Sequence, residues 1–385
     1  MYIASNDNRL YVAAETTLGT VPEILSDNRV PAVKLAVRQS QIIPDRRDKT
    51  GTRSWIGAPS GVRRETSYDL RTYLTSWIQQ TEQPGYGSLF GAALGSDAKI
   101  SPGGPLASVS GTTVTFTSNH NLSARQAVAI RGEIRFVSSV TTSKVVEVNA
   151  PFATTTAGAS SPTVTWTPSK TLPTASIFDY WSPLAAMQRV LTGAAVNEFG
   201  IKINADYHEF TFSGPAQDII DSYSFSDGQG GLSSFPDEPV SQNFDSGIVP
   251  GHLGQVWLGA VAERFYTLTS AELKLSNSLE ARTREFGLDN MQVVVPGQRK
   301  VTLDFDLYAG DDSSVNALYT ASRQRSPMQV MFQLGQQQQQ MFGLYLKSVV
   351  AEVPEYDDSE SRLEWKFRNC RAQGSGEDEI AIAFA

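Results

Sequence analysis

The chain of 385 residues carries 32 Lys and Arg against 40 Asp and Glu, a formal charge of −8. That balance excludes a protein whose work is to grip nucleic acid by its phosphates, which needs clustered cations. A single cysteine, Cys370, excludes an intrachain disulfide and reads as a small packed residue. At about 100–200 residues per domain the length accommodates two or three domains.

The first residues, Met1 to Arg9, have neither a basic start nor an apolar run, so no secretory signal is expected there. No apolar stretch approaches the roughly 18 residues of a spanning helix, and a soluble chain assembled in a cytoplasm is expected. Ala14 to Pro22 reads as an extended arm turning at Gly19. Val33, Leu35 and Val37 alternate with Lys34 and Arg38 as in a strand, and a charged loop follows from Pro44 to Trp55 with Arg46, Arg47 and Asp48. Gly61-Val-Arg63-Arg64-Glu65-Thr66-Ser67-Tyr68-Asp69-Leu70 is the next strand, and Leu74, Trp77 and Ile78 have helical spacing.

Composition then shifts. From Ser101 to Pro168 the chain is rich in Ser, Thr and Val, with short strands at Thr113–Thr117, Ala127–Ile130, Ile134–Val137 and Val145–Val148. Gly and Pro mark both ends, which predicts a small all-β module inserted in a host loop, where closure entropy is low. It is expected to stand on the outside of its host and to be replaceable by a short linker. Beyond it, Pro183 to Leu191 predicts a short helix, and Phe199, Ile201 and Ile203 with Phe210 and Phe212 predict strands. Gly214 to Asp218 predicts the start of another helix, and Ser224 to Ser246 a linker.

The second half repeats the first. Leu273 and Leu275 alternate with Glu272 and Lys274, and a charged stretch from Glu280 to Pro296 holds Arg282, Arg284 and Glu285. Gly297-Gln-Arg299-Lys300-Val301-Thr302 then echoes Gly61 to Thr66 at one constant offset. Val301, Leu303, Phe305 and Leu307 point one way, Lys300, Thr302, Asp304 and Asp306 the other. Val315, Leu318, Tyr319 and Ser322 predict a helix. Gln336 to Gln340 form a hairpin tip between strands at Val330–Phe332 and Met341–Leu344. Leu363, Trp365, Phe367 and Ile380, Ile382, Phe384 close this half with strands. One fold used twice is the simplest reading.

A search for chemistry yields little. There is no nucleotide-binding glycine motif, no His-Glu-x-x-His and no Gly-x-Ser-x-Gly. His120, His208 and His252 share no metal-ligand spacing. Asp304 and Asp306 share a face with Lys300, as a solvated strand does, and Asp357, Asp358 and Glu360 lack the spacing of a calcium loop. Catalytic residues, metal and cofactor are therefore all expected to be none, and the chain to be no enzyme.

Several phrases are similar to those of a known family. Glu15-x-x-x-Gly19-Thr20, the strand, long loop, strand and helix around Gly61, Gly193-Ala-Ala-Val-Asn197 with Phe199-Gly-Ile201, Phe212-Ser-Gly214 and Trp365-Lys-Phe367-Arg resemble long, two-domain tail tube proteins of siphophages. Gly132 to Val137 and Ala150-Pro-Phe152 resemble an outward β module carried by such proteins. The resemblance implies a fold that is mainly β: a duplicated tail-tube-type β-sandwich with a flanking helix, plus an inserted small all-β module. Its expected bounds are 1–100 with 169–246, 101–168, and 247–385.

The resemblance further implies homotrimeric, pseudo-hexameric rings stacked into a virion tail tube. Genomic DNA would pass through the lumen without specific binding, and a tape measure and tail-end proteins would be partners, with no membrane. Glu65, Ser67, Asp69, Thr302, Asp304 and Asp306 are then the candidates to face the lumen. Arg46, Arg47, Asp48, Arg282, Arg284 and Glu285 are the candidates to touch the next ring. A secreted carbohydrate-binding or adhesin-like β-sandwich is the alternative, disfavoured by the missing signal, and a glycoside-processing enzyme would need a carboxylate pair in a cleft.

Overall fold

Alternating apolar and polar residues make most of this chain strand, and the strands occur twice in the same order. A computed structural model describes all residues except 1, 44–47, 56, 58–62, 78–81, 96, 156–157, 205, 241–246 and 284–285. The first run comprises β1 (Asn8–Ala14), β2 (Arg29–Val30), β3 (Ala32–Ile42), β4 (Arg63–Tyr73) and helix α1 (Gly87–Leu94). A detour follows through β5 (Lys99–Ser101), β6 (Gly104–Ser110), β7 (Thr113–Phe116), β8 (Ala127–Ile130), β9 (Glu133–Thr142), β10 (Val145–Val148), β11 (Ala159–Ser160) and β12 (Thr163–Trp166). The first run resumes with β13 (Ala175–Trp181), β14 (Arg189–Ala194), β15 (Glu198–Ile203), β16 (Glu209–Ala216) and β17 (Asp218–Asp221).

The second run comprises β18 (Gly254–Gly259), β19 (Glu263–Phe265), β20 (Leu268–Ser276), a hairpin of β21 (Glu280–Arg282) and β22 (Val293–Val295), β23 (Lys300–Tyr308) and helix α2 (Ser313–Gln324). It ends with β24 (Met328–Leu334), β25 (Phe342–Val350), β26 (Glu355–Asp357), β27 (Glu364–Ala372) and β28 (Ala381–Phe384). The pairings superimpose. One layer is ordered β17-β14-β13-β1-β2 in the first run and β28-β25-β24-β18-β19 in the second. The facing layer is ordered β15-β16-β4-β3 and then β26-β27-β23-β20.

Each helix closes its unit in a different way. Leu89, Phe90, Ala92, Ala93 and Leu94 of α1 are all buried, and Gly95, at φ +87°, ends the helix in the left-handed conformation that glycine adopts freely. In α2 only one stripe, Val315, Leu318 and Ser322, is buried, and the Asp312 carboxylate caps the start by accepting the Val315 N–H at 2.9 Å. Both units feed one core. Phe90 lies 5.3–5.6 Å, centroid to centroid, from Trp166, Phe199, Phe210, Phe212 and Phe384, the last of these from the second unit.

The inserted strands make their own sheet, β11-β6-β7-β10-β9-β8, with a core of Leu106, Val114, Phe116, Val128, Ile130, Val137 and Val146. They are also seated on the second unit. The chain leaves through β5 and returns through β12, paired with each other, and β12 pairs with β28. Ala129, Ile134 and Phe136 pack on Met331, Tyr345 and Ala383, with Phe136 stacked on Tyr345 at 5.5 Å. Between module and host the Arg135 guanidinium is fully buried, donating to the Ile134 and Pro151 carbonyls and to Gln333 Oε1 at 2.7–3.1 Å. It lies 4.9 Å from the ring centroid of Trp257. Burial pulls its pKa down to about 10, so it stays charged at neutral pH.

Three expected helices are not found among the described residues. Leu74 and Trp77 are buried in non-helical chain tied to His208 and Gln339 by backbone bonds of 2.9 and 2.8 Å, while Ile78 lies outside the described residues. Pro183 to Leu191 is a turn running into β14, held by Gln188, whose amide nitrogen donates to Trp181 O and Ala186 O at 2.9 Å. Gly214 to Asp218 is the end of β16 and the start of β17, where pairing with β4 outweighs turn composition. The echo of Gly61 in Gly297 also slips by one residue in space. Leu70 and Phe305 hold equivalent positions, so Thr66 matches Val301 and not Thr302. Side chains alternate with period two, so the literal alignment would have set opposite faces against each other.

Replacing Phe90 by Ala should cost about 3–5 kcal/mol, because the neighbouring rings come from both units and cannot all close on the void. Denaturant unfolding should show a lowered midpoint with one transition. Two transitions would mean that the units hold together without this core.

Candidate functional site

Eight antiparallel strands of the fifteen-stranded sheet, β3-β4-β16-β15-β20-β23-β27-β26, run through both units and share one polar face. Their other face is the core, where Tyr68, Leu70, Phe199, Ile201, Phe210, Phe212, Leu273, Leu303 and Phe305 are buried. Alternation therefore puts polar residues outside. Glu65, Ser67 and Asp69 on β4 are exposed, and Thr302, Asp304 and Asp306 on β23 are half-buried, all on this one face.

The face carries both signs. Asp306 accepts from the Arg368 guanidinium and from Ser270 Oγ at 3.0 Å, and Asp304 accepts the Asn369 N–H at 2.7 Å. Glu272 pairs with Lys274 at 3.2 Å and stands directly across from Lys202. Lys366 bonds to Asp357, which with Ser359 holds that carboxyl far below the usual range. The six residues singled out from the sequence suggest an acidic stripe; on the second unit Arg368, Lys274 and Lys366 interleave it with cations, and on the first unit Lys34 and Arg38 of β3 are exposed beside it.

Two seams of strand edge matter as much as the face. Inside the chain the units are joined by β15 and β20, through six residue pairs from Glu198↔Ser276 to Ile203↔Ala271. At the ends of the sheet, β3 and β26 have no partner on their outer edges among the described residues. β3 is eleven residues long, and an edge of that length is a template for pairing with another chain.

Of the loop residues, Asp48 and Arg282 are exposed, while Arg46, Arg47, Arg284 and Glu285 lie outside the described residues. The second long loop leans on the first unit, where Asp289 O accepts the Arg64 N–H at 2.7 Å.

The groups that could do chemistry are engaged or withdrawn. Cys370 is buried in β27, and burial pushes its thiol up to about 12. A cleft of about 1050 Å³ is lined in part by Arg299, which is bound to Glu377 and Glu379 at 2.7 and 2.8 Å and to Ser169 O. No group of three His, Cys, Asp or Glu among the described residues is set to hold a metal. His120 bridges Thr142 O and the Leu122 N–H. His208 is fully buried, and neither ring nitrogen makes a well-formed hydrogen bond among the described residues.

Glu15 has a role that the sequence only hinted at. Its buried carboxylate accepts from Gly19 N, Gly193 N, Thr174 Oγ1 and Ser176 Oγ at 2.6–2.9 Å, pinning the N-terminal arm to β13 and β14. The signal was the Glu-x-x-x-Gly spacing together with Gly193, since both glycines sit at positive φ, +76° and +61°. What is built here is a β protein with one long polar sheet face and two sheet edges that have no partner among the described residues. The chain belongs to the phage tail tube protein family, which matches it over residues 5–366. No curated protein sequence matches it.

Acid should loosen the fold through His208. Burial lowers its pKa from 6.5 to about 4, opposed weakly by the Lys202 backbone. Between those values the unfolded chain binds the extra proton, so stability is complete above pH 6.5 and falls as pH drops toward 4, by about 3 kcal/mol in all. Unfolding titrations at pH 7 and pH 4.5 should differ by most of that amount in the wild type. His208→Phe should flatten the difference; an unchanged slope would place the acid sensitivity elsewhere.

Proposed function

We propose that this chain is the repeating subunit of a phage tail tube: homotrimeric rings of pseudo-sixfold symmetry stack into a hollow cylinder through which the genome is delivered. The observation that carries this is the continuous eight-stranded sheet. Two equivalent units supply four strands each, and the result has one apolar face, one polar face and two open edges. Three such sheets set edge to edge would form a closed wall, which is how a β assembly removes its exposed edges. The division into 1–100 with 169–246, 101–168 and 247–385 belongs to the same reading, with the inserted module riding on the second unit.

In this reading the polar face looks into the channel, and Glu65, Ser67, Asp69, Thr302, Asp304 and Asp306 line it. Paired charges give passing DNA no cationic patch to hold, so the duplex moves without specific binding. The loops with Asp48 and Arg282, and with Arg46, Arg47, Arg284 and Glu285, meet the neighbouring ring. A tape measure occupies the lumen before ejection, tail-end proteins cap the tube, and the subunits assemble in the host cytoplasm. No described helix is long and apolar enough to cross a membrane.

Negative-stain microscopy of the purified chain over a range of concentrations should show rings or hollow filaments with threefold or sixfold end views. A chain that stays monomeric throughout would sink the proposal. For the lumen, Glu65→Lys with Asp69→Lys should leave tube formation intact and lower genome delivery in an infection assay. Unimpaired delivery, or both side chains seen on the tube exterior, would refute that part.

A further inference from the structure

We infer that the seam between neighbouring subunits is an antiparallel pairing of β26 of one copy with β3 of the next, in the register that β15 and β20 already use inside the chain. This rests on the tail tube reading and specifies its joint. Equivalence follows from pairing. Leu35 faces Leu70 as Ala271 faces Phe305, so Val37 stands where Leu273 does and Arg38 where Lys274 does. On the other side Tyr356 faces Trp365 as Ile201 faces Phe210, so Glu355 stands where Gly200 does.

Within the chain Ile201 pairs with Leu273 and Gly200 with Lys274. Carried over to two copies, the same joint sets Tyr356 opposite Val37 and Glu355 opposite Arg38. Both pairs are chemically complementary. Tyr356 stacks on Trp365 at 5.8 Å yet is 58% exposed, and Val37 is half-buried against the core, so each is an apolar surface at the rim of the hydrophobic layer, on a strand whose outer edge has no partner among the described residues. Glu355 and Arg38 are both exposed on the polar face, where opposite charges directly across strands attract and like charges repel. Pro354, in the place of Phe199, is buried, so the alternation of the inner joint extends beyond the short β26.

The joint also differs from its internal template in a way that sets direction. Inside the chain the cation Lys202 is on β15 and faces the anion Glu272 on β20. Between copies the anion Glu355 is on β26 and the cation Arg38 on β3, so the second unit of one copy selects the first unit of the next.

Disulfide trapping tests the register, because directly opposed residues come within about 5.5 Å whereas a pair displaced by two residues stands about 7–8 Å apart, beyond the usual span of a disulfide. Arg38→Cys with Glu355→Cys should give covalent dimers and trimers on mild oxidation, reversed by reductant. Ser40→Cys with Glu355→Cys should give far fewer, and neither single variant any ladder. Arg38→Glu should weaken assembly, and adding Glu355→Arg should restore it. Rings that form without the 38–355 cross-link, a stronger 40–355 cross-link, or a double charge reversal that restores nothing would overturn this seam while leaving the tube reading standing. Failure of the unsubstituted protein to assemble at all would overturn that reading and the seam with it.

Discussion

A β-strand satisfies only half of its backbone groups until a neighbour is laid along each edge, and this requirement organises the whole molecule. Each unit builds a four-stranded layer with two edges. One edge of the first unit, β15, is taken by one edge of the second, β20, through six residue pairs. That single joint turns two small sandwiches into one long sheet, aligns their polar faces and leaves β3 and β26 as its ends. The same requirement explains the neck of the inserted module, where β5 and β12 pair with each other and β12 with β28, so that β12 has a partner on each of its edges.

Burial then makes the joint permanent. Phe90, on a helix of the first unit, touches rings on β15 and β16 and also Phe384 at the end of the second. A helix with six of its eight residues buried, as α1 has, belongs at the centre of a packed layer, whereas α2, with a polar face, covers the rim. The difference between the two helices is therefore positional: one lies where both units and the module's neck converge, the other where only its own unit needs covering. Arg135 adds a second tie. Its donors meet carbonyls and Gln333 on both sides of the module's contact, and a guanidinium buried this way fixes orientation more than it adds stability.

Much of this was legible in the sequence where one side of a strand is core and the other water. Val301 to Leu307, Phe199 to Ile203 and Trp365 with Phe367 alternate cleanly and are found as read. The duplication was visible too, although its local alignment was one residue off, because adjacent basic residues match at either offset: Arg299 stands where Arg64 does, not where Arg63 does. The expected helices at Leu74, Pro183 and Gly214 rested on windows of five to nine residues, too short for a 3.6 period to outweigh strand pairing. Edges were illegible for a different reason. Whether β3 lies inside or at the end of a sheet depends on what it pairs with, and no local pattern records that. Glu15 was visible as a spacing, but its four donors come from residues up to 178 positions away.

The mixed charge of the sheet face follows from the geometry of strand pairing. In an antiparallel sheet each outward side chain stands about 5 Å from its partner across the strand gap, so a row of carboxylates alone would repel along the row and strain the very joint that holds the units together. Glu272 with Lys274 and across from Lys202, and Asp306 with Arg368, remove that repulsion. Surface pairs of this kind contribute little stability singly, yet they let one face satisfy two demands at once. Strand pairing disfavours like charges directly across the gap, and in the proposed tube a passage for a polyanion needs a wall with no excess of cations. A purely acidic face would meet the second demand at the expense of the first, and a basic one would meet neither.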